Sequence, residues 1–179
     1  MIVLGLGSNE GDRLQNLRSA VAAISKSILA GVETSSIYES VATLKPGSPD
    51  EWNKPFLNMA VAGETHLSPN ELLKNIKMME KTLGRQDRGV WAPREIDIDI
   101  LAYEDKAVNT DELIIPHKSL CTRPFALLPL ADVAPNWQYP AEGAFKGKTA
   151  YEISEQLFLN TKEVVKSEYE ITADATLVA

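Results

Sequence analysis

The sequence predicts an α+β fold of the ferredoxin-like type, an antiparallel sheet with helices packed on it and extra elements at the C-terminus. Three observations carry this. Two amphipathic stripes, apolar at spacings of three and four, run through residues 14–28 and 72–83. Four β-rich runs, near 2–8, 32–41, 56–65 and 95–101, interleave with them in the order β-α-β-β-α-β. The 179 residues suffice for one domain, spanning 1–179, with a sizeable core.

Each element has a local reason. "IVLGLGS" at 2–8 is an apolar run that ends in a turn signal, as a buried strand does. Leu14, Leu17, Val21, Ile24 and Ile28 form the stripe of a first helix, with Asp12 as N-cap and Gly31 as C-cap. "VETSSIYESV" at 32–41 is rich in β-branched residues and reads as one second strand. Residues 43–55, with three prolines and a glycine, are loop. "FLNMAVAGET" at 56–65 alternates, with Phe56 and Asn58 on one face and Leu57, Met59 and Val61 on the core face. Ser68-Pro69-Asn70-Glu71 is a capping box with proline at the first helical position, and Gly84 can close that second helix. A loop, "RQDRGVWAP" at 85–93, leads into the strand "EIDIDIL". "VNTDELIIPH" at 108–117 is expected to be a short strand or hairpin arm, followed by helices near 123–131 and 149–159. The tail from 160 onward has no pattern that assigns it.

Composition narrows the function classes. Eighteen Lys and Arg face 25 Asp and Glu, a net charge of −7, which disfavours a general phosphate-backbone binder and so nucleic acid as a partner. Cys121 is alone, so neither a disulfide framework nor a cysteine metal cluster is expected. The N-terminus lacks a basic n-region, and no apolar run approaches the roughly 18 residues of a membrane span. A cytoplasmic protein with no membrane partner is the expectation.

The chemistry concentrates in "WAPREIDIDIL", residues 91–101. Asp97 and Asp99, two apart on a strand, project to one face. Like charges this close disfavour one another unless a cation lies between them, and their hard oxygens suit Mg²⁺. A solvated outer strand face is the plainer alternative. Arg85, Arg88 and Arg94 lie within ten residues of each other just before the pair. Arginines beside metal-type carboxylates describe a polyphosphate clamp, although they would also serve simply to neutralise the aspartates. Phe56 and Asn58 place a ring and an amide side by side, able to stack on and pair with a planar heterocycle, or to act as a cross-strand aromatic and a turn-side amide. "GLGSNEG" has the wrong spacing for a dinucleotide fingerprint, and no Walker A sequence is present. His66 and His117 are far apart, which argues against a histidine metal site.

These residues resemble one family, the 6-hydroxymethyl-7,8-dihydropterin pyrophosphokinases of folate biosynthesis. The resemblance rests on "GLGSN", "FLNMAV", "LGR", "WAPREIDIDIL", "IIPH" and "RPFALLPL", in the family's order over about residues 1–140. It implies transfer of the β,γ-diphosphoryl unit of ATP, the co-substrate, to the pterin's hydroxymethyl group, giving AMP. Asp97 and Asp99 would bind two Mg²⁺ ions, and Arg85 and Arg94 would stabilise the transferring phosphates. His117 and Arg123 would hold the nucleotide phosphates, with Glu80 and Ile100 lining the nucleotide side. Phe56 and Phe125 would sandwich the pterin, Asn58 with Ser40 would read its edge, and Trp91 would close over both substrates. The loops 43–55 and 85–93 look like the family's mobile catalytic loops.

Three departures stand out. The loop after Ser40 looks longer, Phe56 takes a position often held by Tyr, and Val90 stands where the family often has Arg. Arg88, two residues from Trp91, is then the expected substitute for the missing guanidinium. Two other readings fit the residues alone: a Mg-dependent nucleotidyltransferase with another acceptor, and a non-enzymatic ferredoxin-like ligand-binding module.

Overall fold

The computed structural model describes residues 1–171. Its sheet has β1 (Ile2–Ser8) at the heart, with β4 (Phe56–Glu64) antiparallel on one side and β5 (Asp97–Tyr103) antiparallel on the other. The full order is β5-β1-β4-β3-β8, where β3 is Tyr38–Ser40 and β8 is Val164–Lys166, and β2 (Ala30–Thr34) also pairs with β4. Helices α1 (Arg13–Ser27) and α2 (Pro69–Thr82) complete the β-α-β-β-α-β core, which is the ferredoxin-like arrangement.

Both faces of the sheet are covered. Leu4, Leu6, Met59, Val61, Ile98 and Ile100 point to the face packed by Leu17, Val21 and Ile24 of α1 and Leu72 and Ile76 of α2. On the opposite face, Val3, Ala60, Ala62 and Leu101 meet α3 (Pro124–Val133) and α4 (Ala150–Phe158) through Leu127, Leu130 and Ile153. The expectation of a single core face on β4 is thereby corrected, because the two C-terminal helices bury the small residues between the large ones. They cover only part of that second face. The part left open holds Asp97, Asp99, Gly5, Gly7 and Asn58.

Local signals held in most places. Asp12 Oδ1 accepts from Gln15 N at 3.0 Å, and Ser68 and Glu71 form the reciprocal capping box of α2. Gly84, at φ +91°, follows the α2 C-cap Leu83. Gly31 does not cap α1, whose C-cap is Ile28; Gly31 lies inside β2 at φ +61°. The expected single strand at 32–41 is two strands. Ser35 turns its side chain into the sheet, its Oγ accepting from Ala60 N at 2.8 Å, and the ladder breaks there. Residues 108–117 give a hairpin of two-residue strands, β6 (Val108–Asn109) and β7 (Ile114–Ile115). The unassigned tail includes β8, which adds to the edge at β3; residues 172–179 of that tail lie outside the described residues. Among the described residues no helix is long and apolar enough to cross a membrane.

Candidate active site

The open part of the second face is the floor of a cavity of about 410 Å³. Register builds it. Gly7 on β1 lies between Asp97 of β5 and Asn58 of β4, and Gly5 lies between Asp99 and Ala60. Adjacent strands sit about 4.8 Å apart, so the aspartate strand and the amide strand face each other across roughly 10 Å of bare glycine backbone. A Cβ on Gly7 would meet Asn58 Oδ1 at 3.4 Å and a Phe56 ring carbon at 3.5 Å. "GLGSN" therefore supplies a flat floor, a role that the spacing of its glycines as a phosphate fingerprint does not reveal.

One wall is charged. Asp97 Oδ1 accepts from Arg85 Nη1 at 2.7 Å, and its Oδ2 accepts from Arg94 Nη1 at 2.6 Å. Arg85 also pairs with Glu80 on α2. Glu80 is 2% exposed, and its carboxylate further accepts Ile98 N at 2.8 Å and Lys77 Nζ at 3.0 Å. Since β5 is a sheet edge, Ile98 N–H has no strand partner on that side, and Glu80 satisfies it. Asp99 is 42% exposed toward the cavity while protein encloses its other sides. Burial, and then the Asp97 carboxylate, push its pKa up to about 6. His117 Nε2 is 3.9 Å from Asp99 Oδ2, and its Nδ1 accepts from Ser119 N at 3.3 Å. Burial, followed by the charges of Arg123 and Lys118, pushes the imidazole pKa down, so the contact joins a neutral ring to the carboxyl.

The other wall is planar. Asn58 Nδ2 donates to Ser40 Oγ at 3.0 Å, and both residues are buried. That bond leaves Asn58 Oδ1 as an acceptor toward the floor. Phe56 lies beside it, and Phe125, at the start of α3, lines the same cavity under Arg123, whose guanidinium carbon is 5.6 Å from the ring centroid. Trp91 closes the opening from the 85–93 loop at φ +72°, in the left-handed region that a large side chain avoids. Lys45 Nζ, from the 43–55 loop, lies 5.5 Å from the Trp91 ring centroid, so the two loops meet there.

Most of the site residues read from sequence converge. Arg85, Arg94, Asp97, Asp99, Trp91, Arg123, Ser40, Phe56, Asn58 and Phe125 all line the cavity. Four do not. Glu80 is buried beneath α2 and lines a second, adjoining cavity of about 330 Å³. Ile100 packs into the α1/α2 core, which leaves only its backbone on the free edge of β5 for a ligand. His117 stands behind Asp99, with Lys118 at the cavity instead. Arg88 lines the second cavity, its Nη2 2.5 Å from Glu95 Oε1 and 3.1 Å from Gln86 Oε1, while Val90 is 73% exposed.

Asn9, Lys77 and Lys118 line the cavity without having been singled out in the sequence. Asn9, 3% exposed, exchanges two bonds with the Arg94 backbone and donates to Lys54 O at 3.2 Å, tying the ends of both loops to β1. Among the described residues no group of three or more His, Cys, Asp or Glu surrounds a common point. Asp97 and Asp99 are the carboxylates that line the cavity, and a pair of them could hold an ion that draws its other ligands from water and phosphate.

The chain is similar to known proteins of one family. The family model described as 7,8-dihydro-6-hydroxymethylpterin-pyrophosphokinase matches residues 3–135. A folate synthesis bifunctional protein of Chlamydia muridarum is 40% identical over 169 residues, covering 93% of this chain and 38% of that protein. The chain thus spans little more than a third of that relative. The 2-amino-4-hydroxy-6-hydroxymethyldihydropteridine pyrophosphokinase of Aquifex aeolicus is 42% identical over 139 residues, 78% of this chain and 83% of that one. In structure, wild-type Plasmodium falciparum HPPK-DHPS with pterin and p-hydroxybenzoate superposes with a TM-score of 0.65 at 17% identity, covering 92% of this chain and 46% of that one, which is a likeness of fold.

Proposed function

The chain belongs to the 7,8-dihydro-6-hydroxymethylpterin-pyrophosphokinase family, and on that premise we propose that it transfers the β,γ-diphosphoryl unit of ATP to the hydroxymethyl group of 6-hydroxymethyl-7,8-dihydropterin, releasing AMP. The observation that carries the reading is the pairing of a charged wall with a planar wall across the glycine floor. A flat heterocycle bound at Asn58 and the two phenylalanines would point its substituent toward the aspartates.

Phe56 and Phe125 stack on the pterin faces, and Asn58 Oδ1, oriented by Ser40, accepts from the ring's amino edge. Arg94, fixed by Asn9, and Arg85, fixed by Glu80, hold the oxygens of the transferred group. Arg123 and Lys118, with His117 behind them, hold the remaining phosphate charge. Trp91 closes the opening and excludes water. Asp97 and Asp99 would hold two Mg²⁺, which when bound neutralise the phosphate oxygens. Transfer of this kind depends on alignment and charge neutralisation more than on a protein nucleophile, and the cavity accordingly has no Ser-His or Cys-His pair.

The test is to incubate the protein with ATP, Mg²⁺ and the hydroxymethyl pterin and to separate the nucleotides. AMP formed only with the pterin is the expected result. AMP formed with unrelated acceptors points to a broader nucleotidyltransferase, and absence of turnover with any acceptor points to a binding module.

A further inference from the structure

We infer that Arg85 and Arg94 stand in for the divalent ion on Asp97 in the ligand-free protein, so that the site selects a metal–nucleotide complex over the free metal. This rests on the nucleotide reading above. Both oxygens of Asp97 are taken by guanidinium groups, Oδ1 by Arg85 at 2.7 Å and Oδ2 by Arg94 at 2.6 Å. Asp99, two residues on, has no such partner among the described residues; only the His117 imidazole comes near it, at 3.9 Å. The two carboxylates of one strand face are therefore unequal, one closed and one open.

A free hydrated ion meets only the open one. Mg²⁺ gives up its waters reluctantly, and a single carboxylate holds it weakly. To reach Asp97 as well, it must break two charge-assisted hydrogen bonds and leave two guanidinium groups beside a dication. A metal carried on a polyphosphate removes that obstacle, because its phosphate oxygens accept the displaced guanidinium groups as the metal takes the carboxylate. The two guanidinium contacts given up on Asp97 are remade on phosphate, and a metal–carboxylate contact is added.

The anchoring of the two arginines fits an exchange rather than a collapse. Arg85 keeps a second partner in Glu80, itself held by Ile98 N at 2.8 Å and Lys77 at 3.0 Å. The backbone of Arg94 is pinned on both sides by Asn9, with Arg94 N to Asn9 Oδ1 at 2.8 Å and Asn9 N to Arg94 O at 3.0 Å, so its side chain moves without its main chain. Arg85 thus keeps a fixed partner on the same Nη1 that meets Asp97, and Arg94 keeps a fixed main chain behind a guanidinium that can exchange.

The test uses two probes and reads opposite signs. Free Mn²⁺, a divalent ion that also prefers oxygen ligands, is titrated into the nucleotide-free protein and followed by electron paramagnetic resonance. Separately, Mg²⁺ with an ATP analogue carrying a methylene between its α and β phosphates is titrated by calorimetry. Arg85→Ala and Arg94→Ala should each tighten free Mn²⁺ by about tenfold, the scale of one charged hydrogen bond, and weaken the metal–analogue complex by a similar factor. A merely structural role would weaken both. Unchanged or weaker Mn²⁺ binding in the variants overturns the inference. Should Arg85→Ala fail to fold, because Glu80 loses a partner, Arg94→Ala decides alone. If the analogue fails to bind even the wild-type protein, the nucleotide reading falls, while the Mn²⁺ titration still decides whether the arginines mask Asp97.

Discussion

The two walls of the cavity are built on opposite plans. The charged wall is local: Glu80, Arg85, Arg94, Asp97 and Asp99 lie within twenty residues of chain, and all but Asp99 satisfy one another in a single network. The planar wall is assembled from distance. Ser40, Phe56, Asn58 and Phe125 come from two strands and a helix, and they are brought together by the sheet register, a Ser40–Asn58 hydrogen bond and the packing of α3 over the sheet. A network of charges is adjustable, since one partner replaces another at similar energy. A packed slot is not, since its shape is the shape of the core around it. The charged wall thus suits a step in which charge is redistributed, and the planar wall suits recognition of a rigid ring.

The contrast sets the expected order of effects. Asp97→Asn and Asp99→Asn should each lower turnover by about a thousandfold or more, because a lost metal ligand removes several kcal/mol of charge stabilisation, while circular dichroism stays that of the native fold. Near-normal Mg²⁺-dependent turnover in either variant would remove that carboxylate from the essential set. On the planar wall, Phe56→Ala and Phe125→Ala should weaken pterin binding by about 1–3 kcal/mol each and leave nucleotide affinity nearly unchanged in calorimetry. Equal losses for both ligands would make those rings core and dissolve the distinction between the walls.

Stability should move in the opposite direction to activity. The Asp99 carboxyl, with its pKa pushed up to about 6, binds its proton more tightly in the folded chain than in the unfolded one. It therefore favours folding at low pH, and that contribution is lost as pH rises through about 6. In chelator at pH 7.5, Asp99→Asn should raise stability by about 1 kcal/mol, after solvent screening of a side chain 42% exposed, and the gain should vanish by about pH 4. Denaturant titrations at the two pH values measure it.

The smallest effect is expected at Arg88. Its guanidinium is held by Glu95 in the second cavity, so Arg88→Ala should slow the chemical step by less than about threefold in single-turnover kinetics. A loss beyond tenfold would show that the loop carries Arg88 inward, as Val90 beside Trp91 invites one to expect from sequence.

The legibility of the two walls followed their construction. Asp97 and Asp99 were readable as a pair because strand alternation guarantees a shared face. The arginines were readable as neighbours, but their directions were not: Arg85 turns in and Arg88 turns out according to which carboxylate each meets, Asp97 or Glu95. Phe56 and Asn58 shared a face by alternation, whereas their link to Phe125 appeared only when α3 packed over the sheet. Glu80 and Ile100 read as site-lining, yet one is consumed beneath α2 and the other faces the far core.

What the chain determined by itself is everything that short-range rules govern. Period two placed the aspartates, periods of three and four placed α1 and α2, and the Ser68 and Asp12 caps set where those helices begin. Only the tertiary structure decided that the sheet is covered on both faces and that β8 from the unassigned tail joins it at β3. It also placed Gly5 and Gly7 between the two walls as an open floor. The physical reason is the range of the interaction. Side-chain alternation and helix capping act over two to four residues, whereas a cavity is the space that remains when segments a hundred residues apart have finished packing.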